Sequence, residues 1–350
     1  MLVIMRRDST VAEVAAVEDC IRSLGYTPLP VPGADRTAIC ITGNRGPVDP
    51  AVLSRLPGVL ECIAVTRPWK LVSREVHPAD TVVRVAGVEL GGSAPPVVIA
   101  GPCSVETEAR TLRIAEAVAA AGARLFRAGA FKPRTSPYEF QGLGREALAT
   151  LARVRATTGL PVVSEVLDTE SVELMAEHVD VLQVGARNMQ NFALLRKLAG
   201  VRRPVLLKRG PAASLGEWLM AAEYLLAGGN DQVILCERGV RTFVDHSRNT
   251  LDLNVVPLVR QIAHLPVFVD PSHGVGKREH VRPMARAAVA CGAQGLLLET
   301  HTDPATSYTD ADQTIDVATL QGVLRDLEVL QRLEPLAAPA GARPRQSAAP

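Results

Sequence analysis

From residue 97 to about residue 333, short apolar stretches alternate regularly with amphipathic helical stretches. Eight of the apolar stretches have the length of buried parallel strands. They span residues 97–103, 125–131, 161–166, 181–185, 205–208, 233–237, 267–270 and 295–299. Eight strands that each lead into a helix predict an α/β protein with a (β/α)8 barrel. A doubly wound open sheet is the alternative, although such a sheet rarely uses eight similar units.

Residues 1–70 alternate differently, with predicted elements in the order βαββαβ of a small ferredoxin-like domain. Thr10 and Glu13 form a predicted capping box at the start of its first helix. The segment carries no cluster of catalytic residue types, so its pattern favours a binding or regulatory role, with a purely structural role as the alternative.

The remaining segments connect or extend these two domains. Residues 71–96 are a predicted connector, and the apolar residues on both sides of Ala86 and Gly87 indicate a hairpin. The barrel is expected over residues 97–333, and the Ala/Pro/Arg-rich residues 334–350 are expected to be a disordered tail.

Composition excludes several classes of function. The formal net charge is +1 and aromatic residues make up 3%, which argues against a nucleic-acid partner. No apolar run approaches the roughly 18 residues of a membrane span, and the N-terminus does not resemble a signal peptide. Six cysteines without paired short spacings predict free thiols in a reducing compartment. We therefore expect a cytoplasmic protein with no membrane partner.

A short basic loop follows the second predicted barrel strand. Lys132, Arg134, Thr135 and Ser136 fall within five positions, and two prolines stiffen the loop. Arginine offers two parallel donors to a phosphate, lysine a point charge, and the hydroxyls further hydrogen bonds. The loop predicts phosphate binding; a merely solvated basic loop is the alternative.

In a (β/α)8 barrel the carboxyl ends of the strands form the active site. Cationic side chains follow several of these ends, and so many positive charges at one mouth require an anionic ligand. The cations are Arg127, Lys132, Arg134, Arg187, Lys208 and Arg238.

A second group of strand-end residues combines a thiol, an imidazole and two carboxylates. Cys103, His273, Glu299 and Asp310 match the ligand types of a divalent transition-metal site. Considered alone, Cys103 would be interpreted as a buried inert thiol and His273 as a residue that hydrogen-bonds within its loop. The two carboxylates alone would be interpreted as ion-pair partners of the arginines. Cys236 alternates with Glu237 on its strand and is expected to point into the helix layer.

Long motifs carry a resemblance to a known family. They are AGPCSVE (100–106), FRAGAFKPRTSPYEFQGLG (126–144), QVGARNMQNFALL (183–195), LLKRG (206–210), ILCERGVRTF (234–243), VDPSHGVGKRE (269–279), LLLETHTDP (296–304) and DADQ (310–313), with KLVSREVHPADTVV (70–83) before the barrel. In these segments the chain resembles 3-deoxy-D-arabino-heptulosonate 7-phosphate synthases of the type I-beta group, which carry an N-terminal ferredoxin-like domain.

The resemblance implies a metal-dependent condensation of phosphoenolpyruvate with erythrose 4-phosphate, the first step of the shikimate pathway to the aromatic amino acids. Cys103, His273, Glu299 and Asp310 would hold a divalent metal such as Mn²⁺, Co²⁺, Zn²⁺ or Fe²⁺. Phosphoenolpyruvate would bind Arg127, Lys132, Arg187, Lys208 and Arg238, and the aldose phosphate would bind Arg134, Thr135 and Ser136. The expected catalytic groups are Lys132, His273 and one of Glu165 and Glu237, either of which could position the attacking water.

Two alternatives stay open at this stage. A 3-deoxy-manno-octulosonate 8-phosphate synthase would use arabinose 5-phosphate, but its loop resembles Lys-Ala-Asn-Arg-Ser where this chain has Lys-Pro-Arg-Thr-Ser. A non-catalytic sensor of phosphorylated metabolites would be expected to lack part of the metal set. The resemblance also implies a homotetramer and feedback control by Tyr or Phe through residues 1–70.

Overall fold

The computed structural model describes residues 1–32, 36–44, 48–63, 68–134 and 136–332. Two compact units divide the chain, one spanning Met1–Ala79 and a second that begins at Asp80. Their boundary falls within the predicted connector. The tail expected over residues 334–350 and the predicted phosphate ligand Thr135 lie outside the described residues.

The N-terminal unit has the predicted ferredoxin-like topology. Its elements are β1 (Leu2–Met5), α1 (Val11–Ser23), β2 (Thr27–Pro32), β3 (Thr37–Thr42), α2 (Pro50–Leu53) and β4 (Val59–Ile63). The strands form an antiparallel sheet in the order β2-β3-β1-β4. Thr10 caps α1 through the predicted reciprocal bonds with Glu13. Val17 and Ile21 of α1 pack on Ile39 and Ile41 of the sheet.

A short hairpin precedes the barrel. It consists of β5 (Val82–Val85) and β6 (Val88–Gly91), joined by Ala86 and Gly87, which both have positive φ. Two consecutive residues with positive φ give a turn whose twist matches that of paired strands. The apolar face of the hairpin packs against the amino-terminal ends of the barrel strands. There Val83 and Leu90 belong to one cluster with Val97 and Leu125. The hairpin thereby covers the amino-terminal end of the barrel.

Eight parallel strands close into the predicted barrel, so the open-sheet alternative is wrong. They are β7 (Val97–Gly101), β8 (Leu125–Arg127), β9 (Val162–Val166), β10 (Val181–Val184), β11 (Val205–Lys208), β12 (Val233–Glu237), β13 (Val267–Val269) and β14 (Gly295–Glu299). Pairing of β14 with β7 closes the ring. With the ring closed, the side chains that follow all eight strands converge on one rim.

Helices surround this ring. They are α3 (Glu108–Ala121), α4 (Arg145–Thr158), α5 (Val172–His178), α6 (Phe192–Ala199), α7 (Leu215–Ala227), α8 (Val255–Ile262), α9 (Pro271–Val275), α10 (Arg278–Ala290) and α11 (Val317–Arg332). Among the described residues, none of the helices combines the length and the apolar character needed to cross a lipid bilayer.

Alternation along each strand decides which side chains face the barrel interior. Leu125, Val163, Leu206 and Leu297 belong to the interior cluster. Two positions further on, the same strands deliver Arg127, Glu165, Lys208 and Glu299 toward the carboxyl-terminal rim.

The prediction for Cys236 is wrong, because Cys236 belongs to the interior cluster together with Ile234. The two-residue period then turns its neighbour Glu237 to the other side of β12, away from the barrel axis. A polar residue at a strand end suggests the barrel mouth, but the direction of Glu237 is set by Cys236, which faces the interior.

Candidate active site

A cavity of about 340 Å³ opens at the carboxyl ends of the barrel strands. Among its lining residues are eight that the sequence predicted, namely Lys132, Arg134, Glu165, Arg187, Lys208, Arg238, His273 and Asp310. Cys103, Arg127 and Glu299 are buried, and each contacts one of these residues or another of the three. The structure therefore brings most of the predicted residues together at one rim.

Three of the predicted metal ligands form a tight group. A ligand atom each from Cys103, His273 and Glu299 lies within 4.8 Å of the other two. Asp310 adjoins the group, since the Cys103 thiol donates a hydrogen bond to Asp310 Oδ2 at 2.9 Å. Cys103 follows β7, His273 lies in α9, Glu299 ends β14, and Asp310 lies in the loop after β14. One sulfur, one nitrogen and carboxylate oxygens suit a transition metal of intermediate softness.

Burial and neighbouring charges determine whether Cys103 and Glu299 are ionised. Burial, with the nearby charge of Glu299, raises the pKa of the Cys103 thiol to about 12. Burial alone would also raise the pKa of Glu299, but His273 and Arg127 bring that pKa below its ordinary value. The carboxylate is thus ionised at neutral pH while the thiol keeps its proton. A cation that binds Cys103 Sγ must displace that proton.

Asp270 holds the imidazole of His273 in place. Its Oδ1 accepts the His273 backbone N–H at 2.9 Å, and its Oδ2 lies 2.7 Å from His273 Nδ1. Lys208 Nζ donates to the same Oδ2 at 2.6 Å. Such contacts behind a ligand fix the orientation of its ring. The arrangement directs His273 Nε2 toward Glu299 Oε1, 3.4 Å away.

Asp310 has a strained backbone and a strongly acidic side chain. Its φ of 55° is left-handed, which is uncommon for a residue other than glycine. Lys132 Nζ lies 3.2 Å from Asp310 Oδ2, and Arg248 Nη1 lies 3.3 Å from Oδ1. Burial by itself would raise the pKa of Asp310, but the charge of Lys132 and the bond from Cys103 bring it well below the ordinary value. The side chain is therefore held ionised beside the thiol.

Positive charge dominates the cavity. Among the described residues, seven cationic side chains and three carboxylates line it. Arg238 is nearly buried, and its recorded partner among the described residues is the carbonyl of Gly239, 3.5 Å away. Burial lowers the pKa of Arg238, since dehydration disfavours its charged form. A bound anion would supply the missing counter-charge.

Arg127 does not line the cavity. Its Nη1 donates to Glu299 Oε1 at 3.0 Å and to the carbonyl of Pro102 at 2.9 Å, and the side chain is buried. In this geometry Arg127 supports Glu299, and its predicted contact with phosphoenolpyruvate stays a prediction.

The two candidate glutamates lie in different places. Glu165 lines the cavity, and Gln183 Nε2 donates to its Oε2 at 3.0 Å. Gly185 leaves room for it, because a Cβ there would lie 2.0 Å from Glu165 Oε1.

Glu237 is not among the lining residues. It accepts from Arg209 Nη1 at 3.0 Å and from the Gly239 amide at 2.6 Å, and burial raises its pKa. The geometry supports Glu165 for the role of positioning water and leaves Glu237 as part of a buried ion pair.

Two cations of the basic loop, Lys132 and Arg134, line the cavity. Arg134 lines the cavity, with its Nε 2.5 Å from Glu139 Oε2 and its Nη1 4.0 Å from Asp310 Oδ2. Ser136 does not line the cavity as described, and its hydroxyl accepts the Tyr138 N–H at 3.3 Å. The structure therefore supports Arg134 as a ligand of an anion more directly than Ser136.

Sequence reasoning missed several lining residues in the long loop between β12 and α8. Arg241, Arg248 and Asn249 line the cavity although none stands at a strand end. A signal was present, since this loop carries three arginines within eleven positions, beginning at Arg238. Gln313 was also missed; it donates to Glu299 Oε2 from the three-residue turn Ala311–Gln313.

The chain matches two models of known families, and both cover the regions described above. A model described as DAHP synthetase I family matches residues 76–333. A model described as DAHP synthase ferredoxin-like domain matches residues 1–67.

Similar proteins agree with the family models. The phospho-2-dehydro-3-deoxyheptonate aldolase of Thermotoga maritima is 40% identical over 330 residues, which cover 94% of this chain and 97% of that protein. A crystal structure of phospho-2-dehydro-3-deoxyheptonate aldolase (DAHP synthase) from Thermotoga maritima superposes with a TM-score of 0.76 at 39% identity, covering 95% of this chain and 97% of the other.

A second kind of relative matches a smaller part of the chain. The 2-dehydro-3-deoxyphosphooctonate aldolase of Geobacter sulfurreducens is 32% identical over 269 residues, covering 72% of this chain and 98% of that protein. The heptonate relative is thus both more similar and matched over more of the chain. The chain belongs to the DAHP synthetase I family and carries the ferredoxin-like domain of DAHP synthases at its N-terminus.

Proposed function

We propose that this protein is a 3-deoxy-7-phosphoheptulonate synthase. It condenses phosphoenolpyruvate with erythrose 4-phosphate and releases inorganic phosphate. The main support for the proposal is the cavity, in which the group formed by Cys103, His273 and Glu299 adjoins several cationic side chains. Family membership supports this reaction, and the octulosonate alternative is not favoured.

The cations of the cavity account for two anionic substrates. We assign Lys208, Arg187 and Arg238, which all line the cavity, to phosphoenolpyruvate. We assign Arg134 and Arg248, which lie 4.0 Å and 3.3 Å from the carboxylate of Asp310, to the aldose phosphate. Fixed cations offset the repulsion between the two substrates and align their reacting carbons, and alignment contributes up to about 7–11 kcal/mol in favourable cases.

Cys103, His273, Glu299 and Asp310 would hold the divalent metal. The mixed sulfur, nitrogen and oxygen donor set fits Mn²⁺, Fe²⁺, Co²⁺ or Zn²⁺. A metal held there would supply Lewis-acid chemistry toward the aldehyde oxygen of the aldose phosphate.

The side chains supply proton transfer and water positioning. The third carbon of phosphoenolpyruvate attacks the aldehyde carbon, and the aldehyde oxygen gains a proton. We assign the donation of that proton to Lys132, whose Nζ lies 3.2 Å from Asp310 Oδ2. Burial alone would lower its pKa, but the nearby Cys103, Glu299 and Asp310 raise it overall, so Lys132 starts protonated. Glu165 orients the water that adds to the second carbon, from which phosphate then leaves.

A phosphate-release assay tests the reaction. Purified protein is supplied with phosphoenolpyruvate and either erythrose 4-phosphate or arabinose 5-phosphate, in the presence of Mn²⁺ or Zn²⁺. We expect turnover with erythrose 4-phosphate that stops after chelation and returns when metal is added back. Faster turnover with arabinose 5-phosphate would instead identify an octulosonate synthase, and no turnover with either aldose would refute both assignments.

The biological setting follows from the same family. We infer a role in aromatic amino-acid biosynthesis, with Tyr or Phe as a feedback inhibitor that acts through the ferredoxin-like domain. We also infer a homotetramer and a cytoplasmic location, the latter supported by six free cysteines.

A further inference from the structure

Gln313 bridges the metal group and the anion-binding cavity. Its side chain is buried. Its Nε2 donates to Glu299 Oε2 at 2.5 Å, and its Oε1 accepts from Arg248 Nη1 at 2.6 Å. Glu299 is a predicted metal ligand, and Arg248 lines the cavity. The amide of Gln313 thus contacts both a residue of the metal group and a cation that lines the cavity.

The chemistry of the two partners fixes which way the amide points. An ionised carboxylate accepts hydrogen bonds only, so the end of Gln313 that faces Glu299 must be the NH₂ group. A guanidinium donates only, so the end that faces Arg248 must be the carbonyl oxygen. Glutamine and asparagine are the side chains that carry both groups without a charge, and glutamine has the length found here.

Gln313 also completes the hydrogen bonding of Glu299. Glu299 Oε1 is shared by Arg127 Nη1 at 3.0 Å and His273 Nε2 at 3.4 Å. Among the described residues, the recorded partner of Oε2 is Gln313 alone. Without the amide, a buried carboxylate oxygen would lose its donor, and the carboxylate would be free to rotate away from the ligand group.

We infer that Gln313 is a positioning residue, which holds Glu299 for the metal and Arg248 for an anionic substrate at the same time. Hydrogen bonds in such a chain strengthen one another, so the charge of Arg248 reinforces the bond from Gln313 to Glu299. Loss of the amide should therefore weaken the binding of metal and of anion together. The inference deepens the proposed function and relies on the metal group assigned there.

Two substitutions separate the two contacts. Gln313→Met keeps the length but removes both the donor and the acceptor. Gln313→Glu keeps an acceptor for Arg248 while placing a second carboxylate against Glu299. Gln294→Met is the matched control, because Gln294 is also a buried amide with two bonds, to the Gly92 carbonyl and the Val267 amide, at the other end of the barrel.

The measurement is the dissociation constant of the full-length protein for Mn²⁺ alone and for inorganic phosphate, by titration calorimetry. Gln313→Met should weaken Mn²⁺ binding about 10- to 100-fold, the usual effect of losing a contact behind a metal ligand. It should weaken phosphate binding about fivefold. Gln313→Glu should weaken Mn²⁺ binding but retain phosphate binding, and Gln294→Met should change neither.

Each contrary result has a separate meaning. An unchanged Mn²⁺ constant in Gln313→Met, or an equal loss in Gln294→Met, would overturn the positioning role. Weakened Mn²⁺ binding with unchanged phosphate binding in Gln313→Met would overturn the link to Arg248. Failure of the proposed function is recognised independently, as absence of turnover by the wild-type protein with erythrose 4-phosphate.

Discussion

The Cys103 thiol donates a hydrogen bond to Asp310 Oδ2 at 2.9 Å, although the two residues are 207 positions apart in the chain. A thiol buried beside two carboxylates gains little as a packing residue. A cation bound at the proposed metal group would replace the thiol proton and bind both side chains.

The identity of the Cys103 ligand atom should set metal preference. We expect Cys103→Ser to weaken Zn²⁺ binding by more than about tenfold, because loss of a ligand should cost at least as much as loss of a contact behind it. Mn²⁺ binding should weaken less, since a hydroxyl is harder than a thiolate. The constants are measured by competition with a chelating dye. Cys291→Ser, a change outside the site, serves as the control, and an unaltered ratio of the two constants would count against Cys103 as a ligand.

Lys208 and Asp270 should make a large contribution to stability. Lys208 Nζ lies 2.6 Å from Asp270 Oδ2, and both side chains are buried. Lys208→Met removes one partner and should lower the free energy of unfolding by about 3–5 kcal/mol, because it leaves a buried charge without its cation. Urea unfolding followed by circular dichroism measures this change.

The surface pair Arg282–Asp326 provides the comparison for Lys208. Arg282 is 44% exposed and its Nε lies 2.7 Å from Asp326 Oδ2. Arg282→Met should change the free energy of unfolding much less than Lys208→Met does, because solvent screens an exposed ion pair. If Lys208→Met and Arg282→Met lowered the free energy of unfolding equally, burial of the Lys208–Asp270 pair would not add to its contribution to stability.

Glu106 should make stability depend on pH in the acidic range. Burial alone would raise its pKa, but the bond from His301, the Tyr308 amide and the charge of Arg110 bring the pKa below 4.5. A depressed folded-state pKa means that the carboxylate stabilises the fold above pH 4.5 and that this contribution is lost as pH falls through the folded value.

Glu106→Gln tests this dependence. The wild-type protein should be more stable than the variant at neutral pH, and the difference in unfolding free energy should shrink as pH falls below 4.5. Unfolding free energies measured in urea at several pH values give the comparison. A difference that does not vary with pH would contradict the role of the Glu106 charge.

Glu165 and Glu237 should respond differently to the same substitution. Glu165→Gln keeps the shape of a cavity residue but removes its negative charge, and it should lower kcat about 100-fold or more. Glu237→Gln weakens the buried pair with Arg209 and should lower the melting temperature, with a much smaller effect on kcat. Steady-state kinetics and thermal unfolding of both variants separate the roles. If Glu237→Gln lowered kcat more than Glu165→Gln, Glu237 would be the better candidate for positioning the water.

Feedback inhibition should require the ferredoxin-like domain. We expect Tyr or Phe to inhibit the full-length protein and to have no effect on a form that starts at Ser73, a few residues before the second compact unit at Asp80. The basal rate of the shortened form, measured first, establishes that it folds and works. Equal inhibition of both forms would assign the effector site to the barrel.

Local sequence was sufficient to predict the fold. Strand periodicity, the capping box at Thr10 and the turn at Ala86–Gly87 depend on neighbouring residues, so they can be recognised without knowledge of distant contacts. The count of eight strand–helix units then left a closed barrel as the simplest arrangement. Because every strand end meets at the same rim of a barrel, the candidate site followed from the fold.

The direction of individual side chains required the tertiary structure. Glu237 ends β12 and Arg238 follows it, yet Arg238 enters the cavity while Glu237 pairs with Arg209 outside it. Local pattern cannot choose between two adjacent polar residues, because the choice depends on which of them faces the barrel axis.

The long-range contacts were equally hidden from the sequence. Gln313 and Arg248 are separated by 65 positions and meet only because two loops of the rim fold over the same cavity. Chemical types and their order along the chain thus determined which reaction the residues could support. Closure of the barrel decided which of them touch, since loop paths are set by packing between segments that are distant in sequence.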